Sequence, residues 1–232
     1  GWLRQIIEKD DFKKMPRKED FAKALDKVEK SIERASRITH QLLGFVGKSE
    51  TAATEISLKA LADETVQLVS YEIKKKGVQI VRKMDPSLDP VWSDAYQIRQ
   101  VLLNLLTNAI HAVDSEGTIT IAVEDAGDSQ AITVSDTGPG IAREHLAKIF
   151  EPFFSTKAPD QGTGLGLFVS RGIVEKLGGT IEVASILGQG AHFSVRLPKH
   201  PKDTGDIKTT GAESWVEKIR THFSGTTGEK SS

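Results

Sequence analysis

The sequence contains no cysteine, which excludes disulfides and thiolate metal sites and suits a reducing compartment. No apolar run is long enough to span a bilayer, and the chain opens on no signal-peptide pattern. Charge of one sign is not in excess either, since 31 basic residues stand against 32 acidic ones. That balance provides no electrostatic footprint for an anionic membrane, and no nucleic-acid partner is expected. No internal repeat is visible. What is there is an ordinary globular composition, 38% hydrophobic and 27% charged over 232 residues. It allows one fair-sized domain or two small ones with a real core. The expectation is a cytoplasmic module, which a larger and membrane-anchored parent could carry.

Residues Gly1 to Asp10 read as the end of a helix, and the charged stretch with Pro16 as a loop feeding the next one. From about Arg17 to Val46, Phe21, Leu25, Val28, Ile32, Ala35, Leu42 and Val46 recur at spacings of four and three, with Thr39 completing the series. That is the seam of a bundle or coiled coil, although a single amphipathic helix lying on a core has the same start. At about 1.5 Å per residue it would be about 45 Å long. Gly47 is a plausible cap. Residues 1–48 are thus expected to form part of a helical hairpin, with 49–54 as a linker.

An α+β domain is expected over residues 55–198. Strands are predicted near Glu55–Leu58, Val78–Lys83, Thr118–Glu124, Ala131–Ser135, Thr180–Ala184 and His192–Leu197. Helices are predicted at about Ala60–Lys75 and Asp94–Val113, the second capped by Asp94, and a third after the glycines at 162–166. Asp85–Pro90 reads as a turn. Strands and helices that alternate without a regular βαβ repeat suggest a two-layer sandwich, one mixed sheet with helices on one face. The tail 199–232 is polar and read as mostly flexible. Its one island, Trp215, Val216, Ile219 and Phe223, has the spacing of a short helix at 213–223.

Four stretches could carry chemistry. Gly162-Thr163-Gly164-Leu165-Gly166-Leu167 runs into the apolar pattern Phe168, Val169, Ile173, Val174 and Leu177. Alternate glycines let a backbone bend and bring its N–H groups to a ligand, and the following helix aims its positive end at the same spot. It is a phosphate cradle or simply a turn. Asp136-Thr137-Gly138-Pro139-Gly140 ends a strand pattern. An ionised carboxylate there accepts hydrogen bonds only, so it would select adenine's exocyclic amine over guanine's carbonyl; the same pattern also occurs as a surface turn. Asn104 and Asn108 are four apart and share a helix face. Their amides either satisfy nearby backbone or complete the oxygen shell of a Mg²⁺ that otherwise holds waters and phosphates. In Phe150-Glu151-Pro152-Phe153-Phe154-Ser155-Thr156-Lys157, the phenylalanines could anchor a loop over a nucleotide, and Lys157 could reach its terminal phosphate.

In that order these motifs make the chain resemble, over roughly Glu55 to Pro198, the ATP-binding catalytic domain of sensor histidine kinases, within the Bergerat-fold ATPases. The resemblance implies ATP and Mg²⁺ as cofactors. It puts the metal-coordinating amide at Asn108, with Asn104 beside the phosphates. Adenine recognition falls to Asp136, and turn contacts to Gly138 and Gly140. Lys157 and the backbone at Gly162, Gly164 and Gly166 would touch phosphate, with Thr163 and Leu165 inside the same turn. A short lid would lie between Phe154 and Gly162, Phe150 belonging to its aromatic anchor. His111 matches a position that in some relatives is a phosphate-contacting lysine; as a lone residue its ordinary reading is an exposed helix histidine. The long helix looks like the second helix of the family's dimerisation bundle, which implies a homodimer in the intact protein and a response-regulator receiver domain as partner.

Two departures from the family pattern stand out. The phosphorylated histidine of the family sits on the bundle's first helix, followed by an acidic residue and soon a proline. His40 is followed by Gln41 and no nearby proline, so the chain is expected to begin just after the phosphorylation site and to bind ATP without phosphorylating itself. Ala191 stands where relatives often have a threonine beside the nucleotide, which removes one hydroxyl. Two rival classes remain: an ATP-hydrolysing relative, and a nucleotide-gated interaction module without kinase activity. The hydrolysing members carry a glutamate as base where this chain has Asn104, an amide that takes no proton at neutral pH.

Overall fold

The computed structural model describes residues 19–29, 31–32, 53–85, 87–157 and 162–200. From residue 53 onward the elements are β1 (Thr54–Ile56), α1 (Leu58–Leu68), α2 (Ser70–Lys76), β2 (Gln79–Met84), β3 (Val91–Ser93), α3 (Ala95–Ala112), β4 (Thr118–Asp125), β5 (Ser129–Asp136), α4 (Arg143–Leu146), α5 (Gly166–Lys176), β6 (Thr180–Ser185) and β7 (Ala191–Pro198). Five strands form one mixed sheet in the order β2-β4-β5-β7-β6. β2 runs parallel to β4, with Ile80 opposite Ile119, and the other neighbours are antiparallel. β1 and β3 make a separate antiparallel ribbon, with Glu55 opposite Trp92.

The register follows from residue alternation. In β5, Gln130, Ile132, Val134 and Asp136 are buried while Ala131, Thr133 and Ser135 are not, because side chains two apart share a face of a strand. Val134 pairs with Ile121 on one side and Phe193 on the other, so the buried face is continuous across three strands. α1, α3 and α5 cover it. On α3, Ile98, Val101, Leu102, Leu105, Ala109 and Ile110 point inward at helical spacing, each large apolar side chain contributing about 1.5–3 kcal/mol. The architecture is the expected two-layer sandwich with helices on one face.

α3 is fixed at its start by Asp94. One carboxylate oxygen accepts the N–H groups of Tyr96 and Gln97 at 2.9 and 3.1 Å, and the other accepts the Gln97 side-chain amide at 3.0 Å. Asp94→Ala removes a cap that is only 5% exposed and should cost about 1–2 kcal/mol. In urea unfolding this appears as a lower midpoint at unchanged slope, with Asp94→Asn, itself a good cap, avoiding most of the loss.

Several boundaries differ from the sequence reading. The first helix breaks at Val69, whose backbone leaves the helical region (φ −100°, ψ 11°); Thr65, Val66 and Val69 are β-branched and weaken the helix, and the bend keeps both Val69 and Ile73 buried. β1 stops at Ile56 because the Ser57 hydroxyl accepts the Ala60 N–H at 3.3 Å and caps α1. β3 and α4 were not anticipated. Three strand residues and one helical turn are too short to display a period, and β3 is held by distant partners: β1, and the Lys199 carbonyl that accepts the Trp92 N–H at 2.8 Å.

Residues 19–29 and 31–32 are helical. Three members of the heptad seam there, Phe21, Val28 and Ile32, are 48%, 51% and 63% exposed. Leu25, between them, is half-buried; the seam beyond Ile32, His40, most of the 49–54 linker and the Trp215 island lie outside the described residues. No helix among the described residues is long and apolar enough to cross a membrane.

Candidate functional site

A cavity of about 410 Å³ runs along α3, from Asn104 to Ala112. That stretch of helix is about 12 Å long at about 1.5 Å per residue. The two ends differ in chemistry.

At the Ala112 end stands Asp136, the last residue of β5 and only 9% exposed. Its Oδ1 accepts the Gly138 N–H at 2.9 Å, and the Ala191 N–H also supports the carboxylate. Burial nonetheless dominates and raises its pKa above the ordinary carboxylate value. Ala109, Ile141, Ile149 and Phe193 supply apolar wall to the cavity that it lines. A carboxylate in such a slot can accept hydrogen bonds beyond those from Gly138 and Ala191, so it fits a ligand edge that donates.

At the other end the Asn104 side-chain N–H donates to the Ser170 hydroxyl of α5 at 2.8 Å. Gly166, the first residue of α5, abuts the same amide so closely that a Cβ would collide with Asn104 Oδ1. α5 has no side-chain cap, which leaves its positive end for a ligand to satisfy. The Lys157 ammonium donates to Asn108 Oδ1 at 3.2 Å. Burial, and secondarily the nearby charge of Lys76, lowers the Lys157 pKa. Lys76 itself donates to the Ile110 and His111 carbonyls at 2.7 and 3.3 Å, two acceptors in the last turn of α3. One end of the cavity is therefore apolar with a buried acid, and the other is amide-lined and cationic.

Of the residues anticipated from sequence, Asn104, Asn108, His111, Asp136 and Gly140 line the cavity. So do Phe154, Lys157, Gly162, Thr163, Gly164 and Gly166. Gly138, Phe150 and Leu165 stand behind it. Gly138 serves Asp136 through its N–H, Phe150 lies under the Arg171 guanidinium at 5.7 Å, and Leu165 is fully buried. Ala191 contributes its N–H to Asp136 whatever its side chain. Sequence reasoning missed Ser170, 2% exposed, for which the signal was a serine one turn after Gly166 on the apolar face. It also missed Ile149 and Phe193, apolar residues with no local signal that they face a cavity.

Among the described residues no cluster of three or more His, Cys, Asp or Glu could hold a metal ion. The amide oxygen of Asn108 does suit Mg²⁺, which keeps several waters and takes its other ligands from substrate phosphates. The donor set thus fits an ion that arrives with a nucleotide.

The family model for histidine kinase-, DNA gyrase B- and HSP90-like ATPases matches residues 93–201, the stretch that contains α3, Asp136 and the glycine-rich turn. The sensor histidine kinase ZraS of Klebsiella oxytoca is 40% identical over 167 residues, 72% of this chain and 36% of its own length. The nucleotide-free catalytic domain of the histidine kinase ThkA aligns at 38% identity and a TM-score of 0.60, covering 65% of this chain and 98% of that domain. ThkA in complex with the response regulator TrrA aligns at 30% identity and 0.67, over 82% of this chain and 54% of that one. Full-length ShkA in complex with AMPPNP aligns at 26% and 0.65, over 79% and 39%. Sheet, asparagine helix and glycine-rich turn around one cavity define an ATP-binding domain of the Bergerat type. This chain belongs to the histidine kinase ATP-binding catalytic domains, and it spans 36% of the length of the curated relative ZraS.

Proposed function

We propose that the chain holds Mg-ATP with its terminal phosphoryl group presented to a histidine on a helical bundle, from which the group passes to an aspartate of a response-regulator receiver domain. One observation carries this reading: a buried acid and a cationic, amide-lined pocket share a single cavity that runs along α3. Asp136 would accept the adenine amine, while a guanine carbonyl facing it would be left unpaired. Asn108 would ligate Mg²⁺, which when bound neutralises phosphate charge. Lys157, the start of α5 and backbone at Gly162, Gly164 and Gly166 would hold the phosphates, with His111 at the rim. No group of this chain attacks phosphorus, so its contribution is positioning and charge. Asn104, tied to Ser170, cannot act as a base toward water, which disfavours the hydrolysing alternative.

The kinase names of ZraS and ThkA support the phosphotransfer reading, and the ThkA–TrrA complex supports a receiver-domain partner. The exposure of Phe21, Val28 and Ile32 supports homodimerisation through a bundle, and the use of ATP as substrate would suit a cytoplasmic location. The test is labelling with γ-labelled ATP. Alone, the chain should incorporate no acid-labile, base-stable label; with an added bundle that carries the phosphorylatable histidine, that bundle should become labelled. Label on a histidine of this chain itself would contradict the assignment.

A further inference from the structure

Asn108 and Lys157 both line the cavity, and the oxygen proposed to ligate Mg²⁺ is the one that accepts the Lys157 ammonium at 3.2 Å. The two cations cannot use it together. Mg²⁺ requires oxygen ligands at about 2.0–2.1 Å, and an ammonium bonded to the same atom would face the ion at close range and repel it. Lys76, the neighbouring ammonium, is held by the Ile110 and His111 carbonyls, so it is not the group that exchanges. Lys157 is a compact charge with three donors on a flexible stem, able to trade an amide oxygen for a phosphate oxygen within reach.

We infer that Lys157 is an exchangeable stand-in for the divalent cation: it occupies Asn108 in the nucleotide-free site and moves to phosphate oxygens when Mg²⁺ arrives with the nucleotide. This rests on the nucleotide reading above. The exchange has two consequences. It holds the Asn108 amide in a defined orientation before any ligand is present, and it shuts free metal out of the empty site. Metal then enters only with the phosphates that draw Lys157 away.

The experiment follows the Asn108 side-chain amide by NMR while Mn²⁺ is titrated into the nucleotide-free chain. In the wild type that signal should resist broadening. In Lys157→Gln it should broaden at a Mn²⁺ concentration at least about tenfold lower, because the repelling charge is gone. Lys157→Arg, which keeps the charge, should behave like the wild type. Equal broadening in the wild type and Lys157→Gln, or an Asn108 signal that does not shift on that substitution, overturns the inference. A parallel titration with a Mg-loaded ATP analogue separates two failures. A wild-type chain that binds the analogue yet broadens like Lys157→Gln overturns the exchange alone, whereas one that binds no analogue overturns the functional reading as well.

Discussion

Asp136→Asn is expected to weaken binding of an ATP analogue by roughly 100-fold while leaving the melting temperature unchanged or slightly raised. The loss arises because the new amide can still accept the Gly138 N–H, which in the wild type lies 2.9 Å from Oδ1, only by turning its own N–H₂ toward the adenine amine. Donor then faces donor, and a charge-assisted hydrogen bond worth about 1.5–3 kcal/mol is gone. Stability moves the other way. Burial raises the pKa of Asp136, so the fold disfavours the ionised form, and a neutral amide removes that cost. The pH dependence has opposite signs for the same reason. As pH falls through the raised pKa, Asp136 is protonated and analogue binding declines, while this residue's contribution to folding stability increases. Calorimetric titrations and thermal melts over one acid series check both. A parallel fall in binding and stability would show that Asp136 is structural.

Gly190→Ala should be the most damaging single change near the site. Its backbone sits at φ +88°, and a Cβ there would run into the Asp136 carbonyl oxygen. The Ser185 hydroxyl also donates to the Gly190 carbonyl at 2.6 Å, so the residue cannot easily move aside. Left-handed strain alone costs about 1–3 kcal/mol; with the collision, a loss of about 3 kcal/mol and about 10 °C in Tm is expected. Gly188 is the control, since φ is +82° but no atom lies within 4 Å of the added Cβ. Gly188→Ala carries the strain without the collision, and should cost about 1 kcal/mol. Equal losses in the two variants would mean that the approach to Asp136 is not what requires glycine at 190.

These two positions also show what could be read in advance. Asp136 was legible because Asp-x-Gly-x-Gly at the end of an alternating strand states its own geometry. α3 was legible for a similar reason, its Asp94 cap and its apolar spacing being local signals. What could not be read depends on which distant elements meet. The Asn104 to Ser170 bond spans 66 residues and the Lys76 to Ile110 contact 34, and neither helix announces the other. Ile149 and Phe193 look the same in sequence whether they face a core or a cavity, because apolar side chains serve both. The break at Val69 was hidden by an apolar spacing that continues across it.

The central claim is that the cavity along α3 is an adenine-selective site for a Mg-nucleotide. Calorimetric titration of the chain with non-hydrolysable ATP and GTP analogues, each with Mg²⁺, tests it most directly. The ATP analogue should bind at one site and the GTP analogue at least about 100-fold more weakly, since guanine presents a carbonyl to a carboxylate. Equal affinity for the two, or binding of neither, would contradict the claim.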